Sequence, residues 1–216
     1  MRIMMGYQHD VFLSYLHEKP CGTWVVEHFL PYFQQFLGNA LNRPASVFLD
    51  RTGIHLGQKW PARLRSALAH SRCLVGVWSP LYFHAEWCQC ECAVMLHREA
   101  QLGYGTAQNP DGLMIGVKVN DGIHFPGFAQ DSQYADFEGY FFDGPAFAQS
   151  PLHVEFQKAI VALANDVARI VNGAPKWSSR GQSNGNNGHR WNLYHPVTGR
   201  SCIGIHRHAA KPNRGC

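Results

Sequence analysis

Residues 86–92 read EWCQCEC, placing a ring at Trp87, a carboxylate one helical turn further on at Glu91, and thiols at Cys88, Cys90 and Cys92. Three chemistries fit these residue types. Thiols beside an acid hold transition metals, buried thiols serve as small core residues, and an acid next to an aromatic ring stabilises a developing cation on a flat substrate. Secondary structure decides among them, because alternate cysteines share a face at a period of two and separate at 3.6. The segment AEWCQCECAVMLHREAQL (85–102) is rich in helix formers, with acids near its start and Arg98 towards its end, which predicts a helix. On that helix Trp87 and Glu91 lie one above the other. Cys88 and Cys92 share a neighbouring face and Cys90 points away, so three sulfur ligands do not converge. No metal site is expected, and the cysteines read as core. Taken alone, a Trp-x-x-x-Glu pair is packing plus a solvated acid; its surroundings give it other meanings.

The surrounding elements alternate as a parallel α/β domain requires. DVFLSY (10–15) is a compact apolar strand, TWVVEHFLPYFQQFLGNAL (23–41) an amphipathic helix and ASVFLD (45–50) a second strand. A loop with two glycines leads into KWPARLRSALAHS (59–71), where Leu64, Ala67, Leu68 and Ser71 keep helical spacing. CLVGVWS (73–79) and LMIGVKV (113–119) read as strands buried on both faces. PLHVEFQKAIVALANDVARIV (151–171) closes the domain as a helix, and the last strand is expected within 134–140, inside an irregular aromatic stretch. Phe12 and Ser14 then fall towards the carboxyl end of the first strand, where open α/β sheets bind ligands. Phe12 reads equally as a buried strand residue, and Ser14 and Tyr15 as residues that only shape the strand end.

Other motifs are excluded. GIHLGQK (53–59) has three residues between its glycines where a phosphate loop has four, and there is no GxGxxG, HExxH or GxSxG. No paired acids end the first strand, which argues against a phospho-receiver. The seven cysteines include no CxxC pair, which points to free thiols in a reducing compartment. No apolar run approaches the roughly 20 residues of a membrane helix, and the start breaks its short apolar stretch at Gln8, His9 and Asp10. A cytoplasmic protein is expected.

The net charge of +4 is unevenly placed: residues 1–173 carry 12 basic and 15 acidic side chains, whereas 174–216 carry seven Lys or Arg and no acid. Residues 174–216 are also polar and rich in Gly, Ser and Asn, which predicts a disordered basic tail after a 1–173 domain. The tail's His189, His195, His206, His208, Cys202 and Cys216 match no known metal spacing. No specific nucleic-acid partner and no membrane contact are expected.

From His9 to about Val171 the chain resembles a Toll/interleukin-1 receptor (TIR) domain. HDVFLSY is similar to that family's first box, FLDRTGIHLGQKWPARLRSALAHSR to its second, and VWSPLYFHAEWCQCE to its third, with Ser79, Pro80, Tyr82, Trp87, Cys88 and Glu91 at matching places. The resemblance implies an α/β, flavodoxin-like three-layer sandwich with a five-stranded parallel sheet. It also implies one of two functions. TIR enzymes cleave NAD+ at the nicotinamide–ribose bond and need a glutamate where Glu91 stands, giving nicotinamide and ADP-ribose or a cyclic isomer; other TIR domains are adaptors that associate with one another. On the enzymatic reading Glu91 is the catalytic residue, and Trp87, Phe12, Ser14, Tyr15, Asp50 and Lys59 are candidate substrate contacts. NAD+ is then a substrate, with no cofactor required. Asp50, Arg51, Lys59 and Trp60, in and after the second-box loop, either close over the site, contact a neighbouring subunit, or form a solvated loop. Self-association through TIR–TIR contacts, an upstream sensor or downstream effector protein, and a bacterial antiphage setting complete the expectation.

Overall fold

The computed structural model describes residues 6–49 and 62–177. Strand β1 (His9–Ser14) is followed by a continuous helical run of α1 (Cys21–Trp24), a π-helical turn (Val25–Phe29) and α2 (Leu30–Leu41). Pro31, in the first turn of α2, has no N–H to continue the ladder, and the helix widens just before it. Then come β2 (Val47–Leu49), α3 (Ala62–Ala69), β3 (Ser71–Trp78), α4 (Glu86–Leu102) and β4 (Met114–Lys118). The chain continues through α5 (Gly127–Gln130), β5 (Tyr134–Asp136), α6 (Pro145–Ala148) and α7 (Leu152–Gly173).

All strand pairs are parallel and the order is β2-β1-β3-β4-β5, the flavodoxin-like order in which connections leave β1 and β3 on opposite sides. The alternation of β3 divides two cores. Cys73, Val75 and Val77 face the layer of α1, α2 and α7, with Phe29, Phe33, Phe156, Ile160 and Val167. Leu74 and Trp78 face the layer of α3 and α4, with Phe12, Leu64, Leu68, Cys92 and Met95. The three-layer sandwich implied by the resemblance is the observed architecture.

Two register partners near the sheet's C-terminal edge are glycines, Gly76 of β3 and Gly116 of β4. The indole of Trp78 lies over both, so that a Cβ at either position would collide with it. The sheet has traded two side chains for one large buried ring.

Several boundaries differ from the sequence-based expectation. Ser71 begins β3, pairing with His9, instead of ending the preceding helix; its hydroxyl still donates to the Ala67 carbonyl at 2.7 Å. The side chain therefore continues a helical pattern that the backbone has left. After α7, Tyr7 donates to the carbonyl of Pro175 at 2.9 Å and Trp177 stacks on His70 at 5.3 Å between ring centroids. Contact with the domain thus extends to Trp177.

Candidate functional site

The crevice at the C-terminal ends of β1 and β3 is the topological switch point of this sheet, the place where such folds bind ligands. Ser14 closes β1 there. Glu91 reaches the same point from the second turn of α4, and Tyr82 from a short 3₁₀ turn, Tyr82–His84. That turn is fixed by the Tyr82 N–H, which donates to Ser79 Oγ at 3.2 Å.

These side chains touch although they lie far apart in sequence. Ser14 Oγ donates to Glu91 Oε2 at 2.5 Å and lies 2.7 Å from Tyr82 Oη, which in turn lies 3.2 Å from Cys92 Sγ. Glu91 is only 7% exposed and Tyr82 fully buried, so these contacts form in a medium where polar interactions are stronger than in water. Burial, reinforced by the neighbouring thiols of Cys92 and Cys88 and by Glu91, pushes the Tyr82 phenol well above its ordinary range. It is a neutral hydroxyl at any physiological pH.

The thiols are neutral for the same reason. Burial pushes Cys92 up to about 12 and raises Cys88 well above its usual value. Cys88 Sγ sits 3.8 Å from the carbonyl of Tyr15, joining α4 to the end of β1. Cys88, Cys90 and Cys92 are all buried thiols outside any disulfide, and among the described residues no group of three His, Cys, Asp or Glu can hold a metal ion.

The candidate contacts separate into distinct surroundings. Trp87, one turn before Glu91, is half-buried against the α3–α4 core. Ser14 is 2% exposed, with its hydroxyl turned to Glu91. Tyr15 points to the opposite face of the sheet, where it is buried with its ring 4.7 Å from that of His17. Phe12 is 1% exposed and stacks on Phe48 at 5.2 Å. Phe12 thus lies within the α3–α4 core, the buried strand position that is one of the two readings its place in the sequence allows. Asp50 and Lys59, with Arg51 and Trp60, lie outside the described residues. Tyr82 was recognised in the sequence as part of the third box, but its contact with Ser14 carries no local signal; the two are 68 residues apart.

Among the described residues no helix is long and apolar enough to cross a membrane. The family model for the TIR domain matches residues 11–149. Curated protein sequences give no match. Among solved structures the chain is similar to the TIR domains of the activated Roq1 resistosome directly recognising the pathogen effector XopQ, at 17% identity and a TM-score of 0.36, covering 76% of this chain and 96% of that one. With the match spanning most of the sheet and all three sequence boxes, the chain belongs to the TIR domain family.

Proposed function

We propose that this protein cleaves NAD+ at the nicotinamide–ribose bond, with Glu91 as the catalytic carboxylate. The observation that carries the reading is the buried Glu91 at the switch point of β1 and β3, oriented by Ser14. The N-glycosidic bond breaks with its electron pair moving to the pyridine nitrogen, so that nicotinamide leaves neutral and positive charge develops on the ribose. A carboxylate in a poorly solvated site stabilises that charge and accepts hydrogen bonds from the ribose hydroxyls. Water adding to the ribose carbon and losing a proton gives ADP-ribose; a ring nitrogen of the adenine adding instead gives a cyclic isomer. Trp87 offers a flat apolar face one turn away for the departing ring.

The substrate needs a second wall over this edge. The second-box segment with Asp50 and Lys59, from this chain or from another copy, is the candidate, and self-association through TIR–TIR contacts follows as part of the proposal. The biological setting proposed is bacterial antiphage defence, with an upstream sensor or downstream effector as partner. Its test is incubation of purified protein with NAD+ across a wide dilution series, measuring nicotinamide release and light scattering together. The expected result is release that Glu91→Gln removes, with specific activity rising as the protein associates. Release unaffected by the substitution contradicts the assignment.

One observation favours a second reading, an adaptor without enzymatic activity: the Glu91 carboxylate is turned inward, within the packing of α4 against β1. Association without nicotinamide release at any concentration would support it.

A further inference from the structure

We infer that Tyr82 is a positioning residue for Glu91, acting through Ser14 in a one-way chain of hydrogen-bond donors. The inference rests on the reading of Glu91 as the catalytic carboxylate, and deepens it.

The direction of the chain follows from proton counting. A carboxylate only accepts, so the single proton of Ser14 is committed to Glu91 Oε2. Ser14 Oγ must then receive the proton of Tyr82 Oη, 2.7 Å away. With its own proton spent, Tyr82 Oη receives the S–H of Cys92 at 3.2 Å. Both Tyr82 and Cys92 remain protonated, since burial raises each. Every donor therefore points towards Glu91, and each bond polarises the next.

The surrounding backbone is shaped for this contact. Gly76, the register partner of Ser14, has no Cβ; one built there would lie 3.1 Å from Tyr82 Oη and 2.5 Å from Trp78 Nε1. Any larger residue would press on the phenol or the indole. Cys92 follows Glu91 on α4, so the chain begins and ends on neighbouring residues of one helix after passing through the turn after β3 and the end of β1. It fixes the carboxylate of α4 against two other elements, the end of β1 and the turn after β3.

This arrangement assigns Ser14 a different task from substrate contact. It is the link through which Tyr82 acts, and removing it should make the phenol irrelevant to turnover. Ser14→Ala, Tyr82→Phe and the double variant decide the point. Tyr82→Phe is expected to lower kcat about tenfold with KM within about twofold, and Ser14→Ala to lower it by somewhat more, as for the loss of groups that pre-orient the carboxylate that stabilises the transition state. The double variant should match Ser14→Ala alone, because the two groups form one path. Ser14→Cys, with a weaker donor of similar size, should fall between Ser and Ala.

A second readout does not depend on activity. A phenol proton enclosed in this chain exchanges slowly, so wild type should show a protected, low-field hydroxyl resonance in NMR that disappears in Tyr82→Phe and moves in Ser14→Ala. This measurement stands even where a variant fails to fold, since the wild-type signal alone shows whether the proton is held. Losses that multiply in the double variant, turnover unchanged in Tyr82→Phe, or absence of the hydroxyl resonance would each overturn the inference. A protected resonance in a wild-type protein that releases no nicotinamide would instead overturn the catalytic reading of Glu91, and the positioning role with it.

Discussion

Asp10 near the N-terminal end of β1 and Glu91 beside its C-terminal end are both buried carboxylates, 4% and 7% exposed, yet they are held by different chemistry. Asp10 meets the guanidinium of Arg43 at 2.6 and 2.7 Å, the backbone N–H of Ser46 at 2.9 Å and Arg72 at 3.7 Å. Glu91 receives a hydroxyl from Ser14, which is backed by the phenol of Tyr82. The forked cation at Asp10 neutralises the charge and ties β1 to the segment before β2, a structural use. The hydroxyl chain at Glu91 orients a carboxylate while contributing no formal charge of its own. An open depression beside Arg43, lined by Pro31, Gln34, Asn42 and Pro44, lies at the Asp10 end and has none of the acid–aromatic pairing seen around Glu91.

The comparison is sharpest in substitutions that remove each charge while keeping its shape. Glu91→Gln should lower nicotinamide release at least about a hundredfold, the loss typical of one electrostatic stabiliser, with little change in melting temperature. Asp10→Asn should do the reverse, costing about 2 kcal/mol in denaturant unfolding because buried charge-assisted hydrogen bonds are lost while turnover per folded molecule persists.

Acid titration of stability should separate Asp10 from a second buried group, His153. Burial pushes the Asp10 carboxyl up, but the Arg43 and Ser46 hydrogen bonds and the charges of Arg43 and Arg72 together bring it below its ordinary value of 3.8. The unfolded chain then binds that proton first, so the contribution is whole above about pH 4 and is lost as pH falls further. For His153, burial and then the charge of His28 lower the imidazole from its ordinary 6.5. Its contribution is whole above about pH 6.5 and declines below it. Melting temperature followed from pH 7 downward should therefore show an early step that His153→Gln flattens and a later one that Asp10→Asn flattens. A single step unaffected by either change would contradict the account.

The smallest expected effect lies at the chain's exit from α7. Removing 178–216 should leave the melting temperature within about 1 °C, since that composition contributes little packing. Ending the chain at Ala174 should cost about 1 kcal/mol, through loss of the Trp177–His70 stack and the Tyr7–Pro175 hydrogen bond.

Much of the architecture was legible because periodicity is a local property. The apolar runs in β1, β3 and β4 mark strands buried on both faces, and α4 and α7 lie within a residue or two of the expected spans. β5 falls at the start of the 134–140 stretch, where only three residues pair with β4; so short an edge strand leaves little pattern to read. The site was legible only as far as motif order goes. Glu91 and Trp87 stand on one helix face, whereas the depth of Phe12 depends on Phe48 arriving from β2, and the Tyr82–Ser14 contact on the 3₁₀ turn after β3 meeting the end of β1. Alternation along β1 says which residues share a face, but not whether that face is open.

The most direct test of the central claim is a paired measurement of nicotinamide release and denaturant stability on wild type, Glu91→Gln and Asp10→Asn, at equal folded concentration and across the dilution series. The account predicts that activity and stability separate: Glu91→Gln remains folded and loses turnover, while Asp10→Asn loses stability and keeps turnover per folded molecule. Undiminished release by Glu91→Gln, or activity that merely follows stability in both variants, would contradict it.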